Sequence, residues 1–391
     1  MTRVAFTLIG GKTWTGGYNY LLNLVRVLAE HQSGRLIPVL FFGTDTDESE
    51  AAPFAQLPGA EIVRTPLMNQ SRKARSLATS LVMGCDAQVR ALFRQHGIDV
   101  VFESAQFFGA RLGIPAIAWI PDFQHRVLPH LFTRAGYWKR ELGFRAQLVG
   151  GRTIMLSSDD SRLACERFYP STRGRTQTVR FAIPATVIPT PDEARSVADH
   201  YRLPQDYVFL PNQFWKHKNH LLVVQALALL RERGQRVVVA ASGKQLDPRN
   251  PGHFDDVKAA IESADLSDSF RLLGMLPYEH LAPLACASVA LLNPSHFEGW
   301  STTVEEARSF GIPMLLSDLA VHREQASVSA LYFDRHSAIS LANALQSLQR
   351  CPPADSERRS REALAATARR IKRFADDFVG VVDHAMDRVH K

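Results

Sequence analysis

Short apolar runs rich in β-branched and aromatic residues alternate along this chain with longer stretches whose apolar positions recur every three to four residues. RVAFTLIG leads into YNYLLNLVRVLAEH. RLIPVLFF, IDVVFES, IPAIAWIP and RTIMLSS follow, and then the helical pattern DDSRLACERFY. A proline-rich stretch, FAIPATVIPTPDEA (181–194), interrupts the alternation. It restarts with YVFLPN and NHLLVVQALALLRERG and runs on through RVVVAAS, FRLLG, VALLNPS and IPMLLS, with helical segments between. Near-continuous apolar strands joined by crossover helices predict parallel sheets covered on both faces. The fold expected is α/β, with two Rossmann-like doubly wound parallel-sheet domains facing a cleft. Their bounds are 1–184 and 203–370, with a linker at 185–202 acting as hinge and a C-terminal helix at 371–391 docking back on the first domain.

Sheets of this kind bind ligands beyond the carboxyl ends of their strands, which selects a few loops. In GGKTWTGGYNYLL the first strand ends near Ile9, and Gly10, Gly11, Gly16 and Gly17 precede a helix expected from Tyr18. Backbone N–H groups at such a helix start suit a phosphate, although a flexible turn explains the glycines equally well. The spacing departs from G-x-G-x-x-G and no acid closes a second strand, so the dinucleotide fingerprint is absent. In LPNQFWKHKNHLL, Lys216 and Lys218 stand before a helix, where lysine can neutralise a diphosphate or simply be solvated. WIPDFQHRVLPH places Asp122, His125 and Arg126 after a buried strand; a histidine there can bind a hydroxyl, carry a proton or be merely solvated. HFEGWSTTVEEARSFGIP (296–313) holds Glu298 and Glu306 separated by seven residues. Locally, Thr303 and Glu306 fit a capping box at a helix start.

Composition narrows the classes. At 46% apolar and 22% charged, with no run approaching the roughly 18 apolar residues of a membrane span, the sequence reads as a globular protein. MTRVAFTLIGG is a first strand and not a secretion signal, so a cytoplasmic protein is expected. Cys85, Cys165, Cys286 and Cys351 lack metal or disulfide spacing and are expected to be buried thiols. No metal site, G-x-S-x-G elbow or P-loop is present. A net charge of +7 calls for a polyanionic partner: nucleic acid, an anionic membrane face or phosphorylated small molecules. The densest basic stretch, RAGYWKRELGFRAQLVGGR (134–152), sets Arg134, Lys139, Arg140, Arg145 and Arg152 among Tyr137, Trp138, Leu142, Phe144 and Leu148. It is an amphipathic segment that either packs on its own domain or touches a membrane.

Taken together, FRLLGMLPYEHLAPLACASVALLNPSHFEGWSTTVEEARSFGIPMLLSD, FWKHKNH and GGYNYLLNL resemble glycosyltransferase family 4, retaining enzymes of the GT-B fold, over nearly the whole chain. The resemblance implies a nucleotide diphosphate sugar, GDP- or UDP-linked, on the second domain and a saccharide or lipid-linked acceptor on the first. It implies that Glu298 binds donor-sugar hydroxyls, that Glu306 accepts both ribose hydroxyls, that the N–H groups of Trp300, Ser301, Thr302 and Thr303 face the diphosphate, and that Gly299 also lines the donor site. Lys218 matches the family's phosphate lysine. Gln213 stands where the family usually has arginine, with Lys216 as a substitute. Gly16 and Gly17 would lie near the diphosphate, Gly274, Met275 and Leu276 along the base, and His125 at the sugar, with Asp122 and Arg126 on the acceptor side. Catalysis would rest on Glu298, His125 and Lys218, without cofactor or metal. The role implied is sugar transfer, of a mannosyltransferase kind, in surface polysaccharide or lipopolysaccharide synthesis, in the cytoplasm or peripherally on the inner face of the cytoplasmic membrane. Two other readings remain: a sugar-nucleotide epimerase, which would act without acceptor, and a nucleic-acid-binding protein. Dispersed basic residues and the absence of a recognition motif speak against the last.

Overall fold

A computed structural model describes residues 1–8, 15–104, 106–184, 188–326 and 330–388. Contacts divide the chain into two compact units, one of Met1–Phe123, Arg134–Phe181 and Arg370–Lys391, the other of Gln124–Thr133 and Ala182–Arg369. The elements run β1 (Thr2–Thr7), α1 (Thr15–His31), β2 (Leu36–Phe42), α2 (Glu48–Ala55), β3 (Glu61–Arg64), α3 (Gln70–Val82), α4 (Ala87–Gln95), β4 (Val100–Ser104), β5 (Ala116–Trp119), α5 (Gln124–Val127), α6 (Arg134–Leu148), β6 (Thr153–Leu156), α7 (Asp159–Phe168) and β7 (Thr176–Thr178). They continue with α8 (Pro191–His200), β8 (Val208–Leu210), α9 (His220–Glu232), β9 (Val239–Ser242), α10 (His253–Ser263), β10 (Phe270–Gly274), α11 (Tyr278–Ala287) and β11 (Ala290–Asn293). The chain closes with α12 (Thr302–Phe310), β12 (Met314–Ser317), α13 (Ala320–Ala326), β13 (Ala330–Phe333), α14 (Ala338–Gln346) and α15 (Pro353–Asp387).

The first unit holds a seven-stranded parallel sheet ordered β3-β2-β1-β4-β5-β6-β7, the second a six-stranded one ordered β10-β9-β8-β11-β12-β13. Strand order therefore reverses between β1 and β4 and between β8 and β11. The doubly wound architecture expected from the alternation is the one found. Side chains sort by strand parity: Val208 and Leu210 join one apolar cluster of the second unit, with Val239, Ala241 and Leu292. Tyr207 and Phe209 join the other, with Val238, Ala240 and Leu291. Burial on both faces is what makes these strands read as unbroken apolar runs. In the first unit Val39, Phe41 and Val101 pack with Val89 and Phe93 of α4. On α15, Phe378 stacks on Phe6 and Phe374 contacts Tyr20.

Three local expectations are corrected. Helix α1 starts at Thr15, so Gly16 and Gly17 lie inside its first turn and not in a loop before Tyr18; Gly10 and Gly11 fall outside the described residues. The stretch TPDEA opens α8: Thr190 and Glu193 form a capping box with Pro191 at the first helical position. Of the cysteines, Cys85 and Cys165 are buried, while Cys286 and Cys351 are only partly so.

Residues 134–148 of the basic 134–152 segment form the helix α6, and the segment is less cationic than its sequence. Arg152 is buried against Glu103, Arg140 pairs with Asp122, and Arg145 pairs with Glu141. Its apolar side is divided: Phe144 and Leu148 join a core with Phe123, whereas Trp138 and Leu142 are 55% and 61% exposed.

Candidate functional site

The reversal of strand order between β8 and β11 brings together the two loops that leave those strands, and a ligand is expected at such a point. Residues 216–218 form a single tight turn after β8, ended by Asn219 in the left-handed conformation (φ 61°), which asparagine tolerates better than most side chains. From there Asn219 Nδ2 donates to the carbonyls of Pro294 (3.1 Å) and Arg335 (3.0 Å), and the His296 N–H donates to His217 O at 2.8 Å. The loops after β8 and β11 are thus bonded to each other.

On this frame Lys218 Nζ lies 2.7 Å from Glu298 Oε1. The same oxygen accepts from Ser295 Oγ at 2.7 Å and Asn293 Nδ2 at 3.3 Å. All three donors address Oε1; Oε2 has no partner among the described residues. Burial pushes the Glu298 carboxyl up, but the charge of Lys218, with smaller help from His322 and His217, outweighs it and brings it down to about 2. One oxygen is held fast, and the other can accept from a ligand. Lys218 keeps two further N–H groups to offer.

Helix α12 begins next to this turn. Its cap is Ser301, whose Oγ accepts the Val304 N–H at 3.4 Å, so the capping box expected from Thr303 and Glu306 is not what starts the helix. The Ser301 N–H is taken by Gln325 Oε1 (3.2 Å), and Gln325 Nε2 donates to the Ser301 carbonyl (2.7 Å). Ser301 therefore has no N–H to give a ligand. The N–H groups of Thr302 and Thr303 lie in the first turn, where no helical carbonyl can reach them, at the positive end of the helix dipole. Gly299 and Trp300 form the approach to this turn, with Trp300 buried.

With its capping role removed, Glu306 stands without a hydrogen-bond partner for either carboxylate oxygen among the described residues. It keeps a little solvent contact, yet burial pushes its carboxyl up to about 7. Burial raises the Tyr278 hydroxyl, and the charge of Glu306 adds to that. Gly274 ends β10 with φ +71°, a left-handed conformation, and its carbonyl accepts the Gly243 N–H at 2.9 Å. Met275 and Tyr278 beyond it are mostly exposed, and Leu276 packs into the core. Gln213 and Lys216 are exposed, and the Lys216 N–H donates to Asp247 Oδ2 at 3.1 Å.

Of the acceptor-side candidates, Asp122 lies in the first unit with its carboxylate 2.6 Å from Arg140. His125 and Arg126 lie on the 124–133 segment, which groups with the second unit. Arg249 holds that segment there: its Nη1 donates to Gln124 Oε1 (2.7 Å), and it lies 5.0 Å from the Phe132 ring and 5.5 Å from that of Trp215. His125 has no solvent exposure and sits 6.3 Å from Phe132. Among the described residues no group of three His, Cys, Asp or Glu has metal-binding geometry. The sequence reading did not select Asn293, Ser295 and Gln325. Asn293 and Ser295 stand at the end of the apolar run VALLNPS, which was their signal, whereas Gln325 lies within the polar stretch VHREQA and carried none.

Residues 200–370 match the glycosyl transferases group 1 family model, a stretch that contains Lys218, Glu298 and Glu306. O-antigen chain mannosyltransferase B of Escherichia coli is 29% identical over 258 residues, 64% of this chain and 66% of that relative, just under two thirds of its length. Among solved structures, a glycosyltransferase from Rickettsia africae superposes with a TM-score of 0.68 at 11% identity over 98% of both chains. Sucrose-phosphate synthase from Thermosynechococcus elongatus gives 0.67 at 16%, over 98% of this chain and 97% of that one. WaaG, a glycosyltransferase involved in lipopolysaccharide biosynthesis, gives 0.58 at 16% over 99% of both. At these identities the structures speak for the fold, which is the two-domain GT-B class. Residues 200–370 of this chain are thus similar to glycosyl transferases group 1.

Proposed function

We propose that the chain is a retaining glycosyltransferase of the family 4 kind, moving a hexose such as mannose from a GDP- or UDP-linked donor to a saccharide or lipid-linked acceptor in surface-polysaccharide or lipopolysaccharide synthesis. The observation that carries this reading is a pair of carboxylates with three unpartnered oxygens: Glu298 Oε2, beside Lys218 at the switch point of the second sheet, and both oxygens of Glu306 on α12. Carboxylates only accept, so unpaired ones call for a ligand rich in hydroxyls, and each charge-assisted bond to one contributes about 1.5–3 kcal/mol. A lysine with spare donors and a helix start call for phosphate. A nucleotide diphosphate sugar has both.

In this reading Glu306 accepts the ribose hydroxyls and Glu298 Oε2 a hydroxyl of the sugar. Lys218 and the N–H groups of Thr302 and Thr303 hold the diphosphate. As the glycosidic bond breaks, charge grows on the leaving phosphate, and Lys218 offsets it with no reorganisation, because Glu298 already fixes its position. The acceptor hydroxyl approaches on the same face, and the departing phosphate takes its proton. His125 and Arg126 serve the sugar and acceptor from the 124–133 segment. The net charge of +7 and the exposed Trp138 and Leu142 of α6 support attachment to an anionic membrane face, where a lipid-linked acceptor would lie. No helix among the described residues is long and apolar enough to cross a membrane.

Thermal unfolding with UDP, GDP and ADP tests the donor half: at a hundredfold excess over Kd, binding adds about 2.7 kcal/mol. Stabilisation by one of the three, followed by sugar transfer from its hexose conjugate only when acceptor is added, is expected. No response to any nucleoside diphosphate, or epimerised donor without acceptor, would refute it.

A further inference from the structure

Strands β11 and β12 run in parallel register, Asn293 opposite Leu316, so the first residues beyond them are neighbours. Ser317 ends β12 fully buried, and its hydroxyl donates to the Ser295 carbonyl at 2.7 Å. His322 on α13, also without exposure, has Nδ1 3.0 Å from the Ser317 carbonyl and 3.1 Å from Ser317 Oγ. A carbonyl oxygen can only accept, so Nδ1 carries the proton. The Ser317 hydroxyl has committed its own proton to Ser295, which leaves a lone pair facing Nδ1–H. His322 Nε2 is then the bare nitrogen, buried with no hydrogen-bond partner among the described residues. Beyond Ser295 the sequence of bonds continues: its hydroxyl has one proton and two acceptors in reach, Asn293 Oδ1 at 2.6 Å and Glu298 Oε1 at 2.7 Å, and the charged carboxylate is the stronger acceptor.

Geometry fixes the direction of the bonds from His322 to the Ser295 carbonyl, and the charge of Glu298 sets the last one. His322 orients the Ser317 hydroxyl, that hydroxyl sets the backbone at Ser295, and Ser295 holds one oxygen of Glu298. Burial keeps the imidazole neutral by lowering it to about 4, against the opposing pull of the Glu298 charge. A protonated ring would also satisfy Ser317, but at the cost of a buried charge. Neutral imidazole with Nδ1–H is the form that fits.

We propose that His322 is a positioning residue: through Ser317 and Ser295 it aims the unpartnered oxygen of Glu298 at the donor sugar. This rests on the donor reading of Glu298 given above. It separates two parts of one ligand, since the relay reaches Glu298 and does not involve Glu306. Damage to the relay should therefore be felt more by the sugar, which meets Glu298 directly, than by the nucleoside diphosphate, which meets it only through Lys218 and keeps Glu306 and the Thr302 and Thr303 N–H groups.

Asparagine places an N–H donor close to the Nδ1 position and glutamine close to Nε2, so His322→Asn and His322→Gln distinguish the nitrogens. Ser317→Ala breaks the relay with the loss of one oxygen and stands in if a His322 variant fails to fold. Affinities would be measured by calorimetry for GDP and UDP and for GDP-mannose and UDP-glucose, with kcat/KM for transfer. H322Q and S317A are expected to lose about tenfold in sugar-nucleotide affinity and in kcat/KM, and no more than about threefold in nucleoside diphosphate affinity. H322N should stay within about threefold of wild type. In ring-nitrogen NMR of the wild type, the signal that disappears in H322N should be that of a neutral Nδ1–H tautomer that does not titrate between about pH 5.5 and 8. An Nε2–H tautomer, rescue by glutamine in place of asparagine, or parallel loss of diphosphate and sugar-nucleotide binding would overturn the inference. If wild type binds nucleotide and the variants behave like it, this inference fails and the donor reading survives; if wild type binds no nucleoside diphosphate, the reading beneath it fails.

Discussion

Glu306 is held at a cost that its replacement by glutamine should reveal. Burial without a partner moves its carboxyl from the ordinary 4.5 to about 7. Each tenfold in proton affinity is worth about 1.4 kcal/mol, so about 2.5 pH units cap the penalty near 3 kcal/mol, and residual solvent contact brings the working figure to about 2. The sign follows from which state holds the proton. Below about pH 4.5 both folded and unfolded chains are protonated here and no penalty exists. Between 4.5 and 7 the unfolded chain has ionised and the folded one has not, so stability falls as pH rises; above 7 the penalty is complete. Glu306→Gln is nearly isosteric and cannot ionise. It should match wild type near pH 4.5 and exceed it by about 2 kcal/mol at pH 8 in urea unfolding followed by circular dichroism. Ligand binding should move the other way. With two charge-assisted hydroxyl bonds weakened at about 1 kcal/mol or more each, the nucleoside diphosphate should bind about 20- to 100-fold more weakly at pH 8, with a smaller gap near pH 6. A stability difference independent of pH, or a variant that is both less stable and equally good at binding, would refute the reasoning.

Three further outcomes are expected. Lys218→Met should destabilise by about 3 kcal/mol, since it strands a buried carboxylate, and the double variant with Glu298→Gln should cost less than the two single changes together, as read by chemical denaturation. The pair's contribution should be present above about pH 4.5 and lost as pH falls through about 2, because Glu298 is depressed to that value. Gly311→Ala should cost about 2–4 kcal/mol in the same assay: Gly311 ends α12 at φ +74°, and a Cβ there would sit 2.7 Å from the Arg359 carbonyl oxygen. Replacing Trp138 and Leu142 of α6 with alanine should reduce co-sedimentation with anionic vesicles at least tenfold while leaving the melting temperature within about 2 °C, as expected for exposed side chains.

Much of the fold was legible because a parallel sheet buried on both faces writes itself as apolar runs, and the crossovers between them as helical periods. Strands lacking that signature did not stand out: Thr176–Thr178 and Glu61–Arg64 are short edge strands with polar ends. Helix starts were legible in kind and wrong in place. T-P-D-E at 190–193 is a capping box inside what reads as a linker, whereas T-V-E-E at 303–306 has the right letters two residues too late, because Gln325 and Asn293 hold Ser301 at the cap. Lys218, Glu298 and Glu306 could be selected from their places at strand ends and from the family pattern. What their oxygens face could not, since it depends on Asn293, Ser295, Ser317 and His322, which meet only through the pairing of β11 with β12.

The grip of Gln325 on both backbone groups of Ser301 has a consequence for portability. The segment from His296 to Pro313 looks like a self-contained cassette, yet the start of its helix is set by a side chain on the next crossover and its turn by one at the end of the strand before. Grafted alone into a related scaffold, it would bring its two glutamates without the means to aim them. A chimaera boundary placed before Asn293 and after Gln325 would carry the geometry along with the letters.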